Sequence, residues 1–235
     1  VRKRGKENGD PGEAGPPAGG GKRRKELLER ELEKVCRVDI TAAARRGGFL
    51  VRPLHGEGWE VEMPLFGRKG IIRLPEGRFS FPSRVDSFSL RVLALRYITL
   101  ADGVPVSGRW IAYRDLPGGR FYASTLVPTV ERPLADLYGR RRGALGEAAR
   151  ELGGERADFG DESYIFRPFP RTPLLVVLHW GDEEFEPGCR LLFDSCCSHY
   201  LNTDDLKVLA TQVAAFLFRW AGREEEARNL LWMVE

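Results

Sequence analysis

The sequence predicts an α+β fold built as a single domain, with an antiparallel or mixed sheet and helices packed on it. Three observations point there. Apolar residues are 42% and charged residues 30% of 235, the balance of an ordinary globular chain. Two long segments, Arg84 to Ala101 and Thr203 to Trp220, carry apolar residues at helical spacing. Short alternating or continuous apolar runs lie between and around them, and one pair is joined by a tight MPLFGR connection that suits a hairpin.

Taken in order, residues 1–25 are Gly, Pro, Lys and Arg with almost no apolar side chains, which predicts a disordered basic tail. Residues 26–235 are then the folded domain, about 190–210 residues, enough to bury roughly 70% of the unfolded surface without a disulfide or metal. Lys25 to Val38 has leucines at 27, 28 and 32 and reads as a helix. Asp39 or Thr41 caps a short element through Arg46, stopped by Gly47-Gly48. Trp59 to Met63 alternates as a half-buried strand, Lys69 to Leu74 is its hairpin partner, and Phe79 or Phe81 opens a third extended element.

Arg84 to Ala101 is a mostly buried helix, with Ser83 as N-cap and Gly103 as its stop. Trp110 to Tyr113 is extended, and Pro117-Gly118-Gly119 turns the chain. Thr125 to Tyr138 and Arg142 to Leu152 are helical. Tyr164 to Phe169 alternates, Leu174 to Trp180 is a fully buried strand, and Arg190 to Asp194 is its antiparallel partner. Thr203 to Trp220 is the closing helix, capped by Asn202 or Thr203 and with Asp204 and Asp205 at its positive end. Glu224 to Met233 is a final short helix.

The charge is uneven. Residues 1–25 hold eight Lys/Arg against three Asp/Glu, so they carry +5 of the chain's net +3 and leave −2 for the rest. The pI near 8.7 therefore reflects the tail, and nucleic-acid contact is expected only through its RKRGK and GKRRK clusters. No apolar run approaches a membrane span, and the basic start lacks the apolar core of a signal peptide, so a cytoplasmic location with reduced cysteines is expected.

The densest chemistry lies in Leu174 to Asp205, LLVVLHWGDEEFEPGCRLLFDSCCSHYLNTDD. Cys189, Cys196, Cys197 and His199 fall within eleven residues, and thiolate with imidazole suits zinc or iron. The six residues between Cys189 and Cys196 depart from the spacing of structural zinc pairs, so the candidate metal set narrows to His199, Cys197 and Asp194, set against plain buried thiols. An oxygen-rich set, Asp182, Glu183, Glu184, Asp194, His199, Asp204 and Asp205, could serve acid/base chemistry or a divalent metal. Strand pairing splits it: Asp194, His199, Asp204 and Asp205 are the tighter group, with Asp182 and Glu184 at the other end. The competing reading has Asp194 and His199 bonding loop backbone and Asp204 and Asp205 stabilising the helix start.

Arg114, Gly118 and Gly119 form a candidate anion-binding turn, set against a tight turn with an Arg114–Asp115 pair. Trp59, Trp110, Tyr113, Phe121, Tyr122, Tyr164, Phe166 and Phe169 either line a pocket for a planar ligand or form core. Ser195, Ser198 and Cys197 near His199 invite a hydrolase reading without any G-x-S-x-G motif.

The order of LRYITLADGVPVSGRWIAYRDLPGG (95–119), RPLADLYG (132–139), GDESYIFRPFPRTPLLVVLHWGDEEFEPGCRLLFD (160–194) and SHYLNTDDLKVLA (198–210) resembles the DUF3786 family, a bacterial and archaeal domain of unknown function, over roughly 30–220. The resemblance implies an accessory role in anaerobic-type metabolism, since some relatives are fused to iron–sulfur cluster domains, and a corrinoid or iron–sulfur protein as partner. This chain has no C-x-x-C repeat with which to hold a cluster of its own. The expected function is thus a non-catalytic binding or accessory domain. The alternative is a metal-dependent hydrolase or transferase using Asp194 and His199.

Overall fold

Apolar side chains in the first half alternate along the strands, and the computed structural model, which describes residues 20–232, turns that pattern into a four-stranded antiparallel sheet. Helix α1 (Gly20–Val35) and helix α2 (Ile40–Gly47) come first. Asp39 caps α2 by accepting the Thr41 and Ala42 N–H groups, and Gly48 ends it in the left-handed region at φ 72°. Strands β1 (Leu50–Pro53), β2 (Trp59–Leu65), β3 (Arg68–Leu74) and β4 (Arg78–Ser80) follow in spatial order. Val61, Met63, Leu65, Ile72 and Leu74 are buried on one face. The β2–β3 turn holds Phe66 and Gly67 at φ 50° and 72°, positive values suited to a two-residue hairpin.

Helix α3 (Phe88–Leu100) packs against α1 and α2. Its cap is Ser87 and not Ser83: Ser87 Oγ accepts the Leu90 N–H, while Pro82 to Val85 close a turn of their own. Then come β5 (Trp110–Ala112), α4 (Ala123–Leu126), a π-helical turn (Val127–Glu131), α5 (Arg132–Tyr138) and α6 (Ala144–Glu151). The helix expected over 125–138 runs on without a break but changes to a π pattern where Pro128 and Pro133 have no N–H to donate. The Arg132 N–H instead reaches back five residues to the Val127 carbonyl.

Strands β6 (Glu155–Ala157), β7 (Glu162–Phe166), β8 (Leu174–His179) and β9 (Gly188–Asp194) complete a second antiparallel sheet, in the order β5-β9-β8-β7-β6. The continuous apolar run of β8 is buried on both faces, as its central place requires. Helices α7 (Thr203–Trp220) and α8 (Glu224–Trp232) close the chain. The structure thus has two sheets where one was expected, and it adds β1 and β6, both short and largely exposed. Gly20 to Lys25, assigned to the tail from composition, are the first turns of α1. The remaining tail, residues 1–19, and Met233 lie outside the described residues. No helix among the described residues is long and apolar enough to cross a membrane.

Aromatic rings join the two halves at two of the places where they meet. At the hairpin tip, the Phe66 N–H donates to the Arg167 carbonyl and the Phe66 ring packs edge-on against Phe216 of α7, with centroids 5.6 Å apart. Deeper in, Tyr97 of α3 stacks between Phe169 and Tyr200 at 5.0 and 5.4 Å. Its hydroxyl donates to the Gly47 carbonyl (2.6 Å) and accepts the Arg171 N–H (3.0 Å). Tyr97→Phe keeps the stack and orphans both backbone groups. It should cost about 2 kcal/mol, read as a lower denaturation midpoint with an unchanged urea slope.

Candidate functional site

A cleft of about 610 Å³ opens between the 117–122 turn and the 198–204 segment that leads into α7. Its chemistry comes from Tyr122, Ser198, His199, Asn202 and Asp204, with Gly118 on the opposing lip. The 117–122 turn needs both glycines. Gly118 sits at φ 74°, and a Cβ on Gly119 would lie 1.9 Å from the Tyr113 carbonyl oxygen. The turn is pinned to the start of α7 by Thr203 Oγ1, which donates to the Pro117 carbonyl (2.6 Å), and by the Tyr113 hydroxyl, which donates to the Thr203 carbonyl (3.2 Å).

His199 closes a single 3₁₀ turn, Cys197–His199, and its Nδ1 lies 2.6 Å from Asp102 Oδ2. Burial pushes the Asp102 carboxyl up, but the Val104 N–H and His199 outweigh it and hold the group below its usual range. Asp102 is therefore an anion that can only accept, so Nδ1 carries the proton and Nε2 is the unengaged ring nitrogen. An imidazole held this way can accept a proton, donate one when charged, or ligate a metal through Nε2.

Asp194 is placed elsewhere. It is 0% exposed at the end of β9. Oδ1 accepts from Ser107 N (3.1 Å), Ser107 Oγ (2.7 Å) and Cys196 N (2.9 Å), and Oδ2 accepts from Gly108 N (2.6 Å). Burial pushes this carboxyl up, and the donors from Cys196 and Ser107 overcome it and set it below the usual range. Asp194 thus ties the loop after α3 to the turn that carries His199, and it is not a partner of His199.

The other candidate residues separate. Asp204 lines the cleft, while Asp205 is buried and bonded to Arg96, which also reaches Glu31 of α1. Asp182 accepts the Glu184 and Phe185 N–H groups in the β8–β9 connection, with Glu184 exposed beside it, about 20 Å along the strand from Asp194. Cys196 and Cys197 donate their thiols to the Arg171 and Pro173 carbonyls (3.3 and 3.4 Å), and burial pushes the Cys197 and Cys189 thiols up, away from the thiolate a metal needs. The set His199, Cys197 and Asp194 is not assembled: residues 197–199 form a tight turn and not the extended strand that would align alternate side chains. Among the described residues no three His, Cys, Asp or Glu side chains converge for a metal ion.

The anion-binding turn is also divided. Arg114 faces Asp115 at 3.9 Å, the Gly119 N–H is used by the Leu116 carbonyl, and Gly118 alone joins the cleft. Of the aromatic set, Phe166 and Phe169 are core, and Phe121 and Tyr122 stand out of it. Asp102, the true partner of His199, went unread: Asp102-Gly103 after a helix reads only as a turn, and the pairing spans 97 positions.

Two outcomes are expected. Asp194→Asn sets an amide against buried N–H donors and should cost about 3 kcal/mol, lowering Tm by roughly 6–12 °C. Because the folded pKa of Asp194 is depressed, its contribution is present above the unfolded pKa and is lost as pH falls through the folded value. The wild type should therefore lose stability faster than the variant on acidification. Nitrogen NMR of the neutral imidazole should show His199 with its proton on Nδ1, and Asp102→Asn should shift that tautomer balance.

No curated protein and no solved structure matches this chain. A family model described as a domain of unknown function matches residues 39–215, from the cap of α2 into α7, and takes in Asp102, Asp194 and His199. With three-quarters of its length matched, the chain belongs to the DUF3786 family.

Proposed function

We propose that the chain is a non-catalytic accessory domain that docks a protein partner across the lip of the His199 cleft. One observation carries the reading. Phe121 is 85% exposed, and Tyr122 and Val127 on the same short stretch are each 49% exposed. Large apolar side chains clustered on a surface, rimmed by charge from Arg114 and Arg120, are the usual anchors of a protein interface. The cleft beside them opens to solvent and presents an imidazole, an amide, a carboxylate, hydroxyls and a phenol ring, with Lys207 5.7 Å above that ring. The resemblance set out above adds the class of partner, a corrinoid or iron–sulfur protein of anaerobic-type metabolism.

A second reading, an enzyme, is favoured by the Asp102–His199 pair. Its form changes from the one first drawn from the sequence. A metal-dependent hydrolase or transferase using Asp194 and His199 needs both side chains at one centre, and Asp194 is bonded to four other donors. The pair that remains available for proton transfer is Asp102 and His199.

The test compares wild type, Phe121→Ser with Val127→Ser, and His199→Ala against purified corrinoid and iron–sulfur proteins from an anaerobe. The accessory reading expects saturable binding that the double variant weakens by about 2 kcal/mol, roughly 30-fold. It expects His199→Ala to keep that binding. Binding indifferent to the double variant, or no binding, would overturn it. A turnover lost only in His199→Ala and Asp102→Asn would move the function to the enzyme reading.

A further inference from the structure

A different carboxylate lacks what buried carboxylates ordinarily have. Glu131, the last residue of the π turn, is 8% exposed. One oxygen accepts the Leu191 N–H of β9 at 3.0 Å, and the other receives no hydrogen bond among the described residues. No Lys or Arg comes within salt-bridge distance of it among those residues, and Arg190 acts on it only from further off. Burial, the larger influence, pushes its carboxyl up. A buried carboxylate without a cation is a costly arrangement that a native chain seldom keeps for packing alone. The π turn that delivers it is a feature often found at ligand sites.

The surroundings say what would complete it. Two adjoining cavities, about 140 and 270 Å³, share Val127, Glu131 and Arg190 and together form one groove between the π turn and β9. Arg190 is exposed and makes no ion pair among the described residues, and Arg114, at the same rim, has only the solvent-exposed Asp115 at 3.9 Å. Ala112, Ala123 and Leu126 give the smaller cavity an apolar wall. A simple anion would face Glu131, and a simple cation would face two guanidinium groups. A molecule with both charges and a short alkyl body satisfies all three walls. The smaller cavity, at about 140 Å³, has room for a small amino acid.

We propose that this groove is a binding site for a free small α-amino acid, its ammonium group on Glu131 and its carboxylate on Arg190 and Arg114. The site is separate from the His199 cleft, though it shares Val127 and Arg114 with the exposed patch of the docking reading.

Calorimetric titration of the full chain with glycine, alanine and valine tests it, with methylamine and acetate as probes of each half. At least one amino acid should bind saturably with a Kd tighter than about 1 mM. Neither half-molecule should match it. Glu131→Gln, which keeps an oxygen for the Leu191 N–H, should weaken binding at least tenfold, as should Arg190→Ala. The Gln variant, relieved of a buried uncompensated charge, should melt no lower than wild type when ligand is absent, which separates lost binding from lost fold. Failure of all three amino acids to bind the wild type, or binding unaffected by Glu131→Gln, would overturn the proposal.

Discussion

The candidate site depends on one buried carboxylate. Asp194 ends β9 with no exposure and gathers four donors from two loops, Ser107-Gly108 and Cys196, that are far apart in the chain. Those bonds extend the β5–β9 pairing, in which Trp110 lies opposite Asp194, into the loops beyond it. With them, the 101–109 connection brings Asp102 to His199, and Tyr200 donates to the Val104 carbonyl of the same connection. The carboxylate closest to looking catalytic in the sequence is thus the clamp that makes another carboxylate available. Its depressed pKa follows from the donors that hold it, so it is anchored as an anion across the neutral range.

A second organising constraint is proline chemistry in the middle of the chain. Pro128 and Pro133 prevent a regular helix, and the π turn between α4 and α5 is the local solution. That solution puts Glu131 against the edge of β9 and keeps Phe121, Tyr122 and Val127 at the surface. Tyr113 sits between the two regions: it lines the Glu131 groove while its hydroxyl bonds the Thr203 carbonyl at the cleft. The two surface features of the C-terminal half therefore rest on one short stretch of backbone.

How far this was legible in the sequence depends on the range of each interaction. The closing helix was read with its true ends, because its period is unbroken and Asp204 and Asp205 mark its start. The hairpin of β2 and β3, the buried strand β8 and its partner β9 were likewise encoded in local alternation and turn residues. The helix over 125–138 was read as helical, but its π turn was not, because propensity sees its leucines and not the missing donors of two prolines. The short strands β1 and β6 escaped notice because their side chains are mostly exposed. Among site residues, His199 was recognised and its partner was not, since nothing at position 102 distinguishes a turn aspartate from a histidine's anchor. Glu131 was equally silent, because its interest lies in what surrounds it after folding.

The clasp between the halves also imposes an order in time. Phe66 leaves the ribosome about 150 positions before Phe216, the ring that covers it, and about 100 before Arg167, the carbonyl that takes its N–H. At roughly 5–20 residues per second, that interval is on the order of 8–30 seconds. Throughout it, the first sheet has its strands but lacks the partner for its apolar tip. The nascent chain spends that time with an aromatic side chain uncovered at the end of a hairpin, the kind of surface that chaperones bind and that neighbouring chains on a polysome can capture.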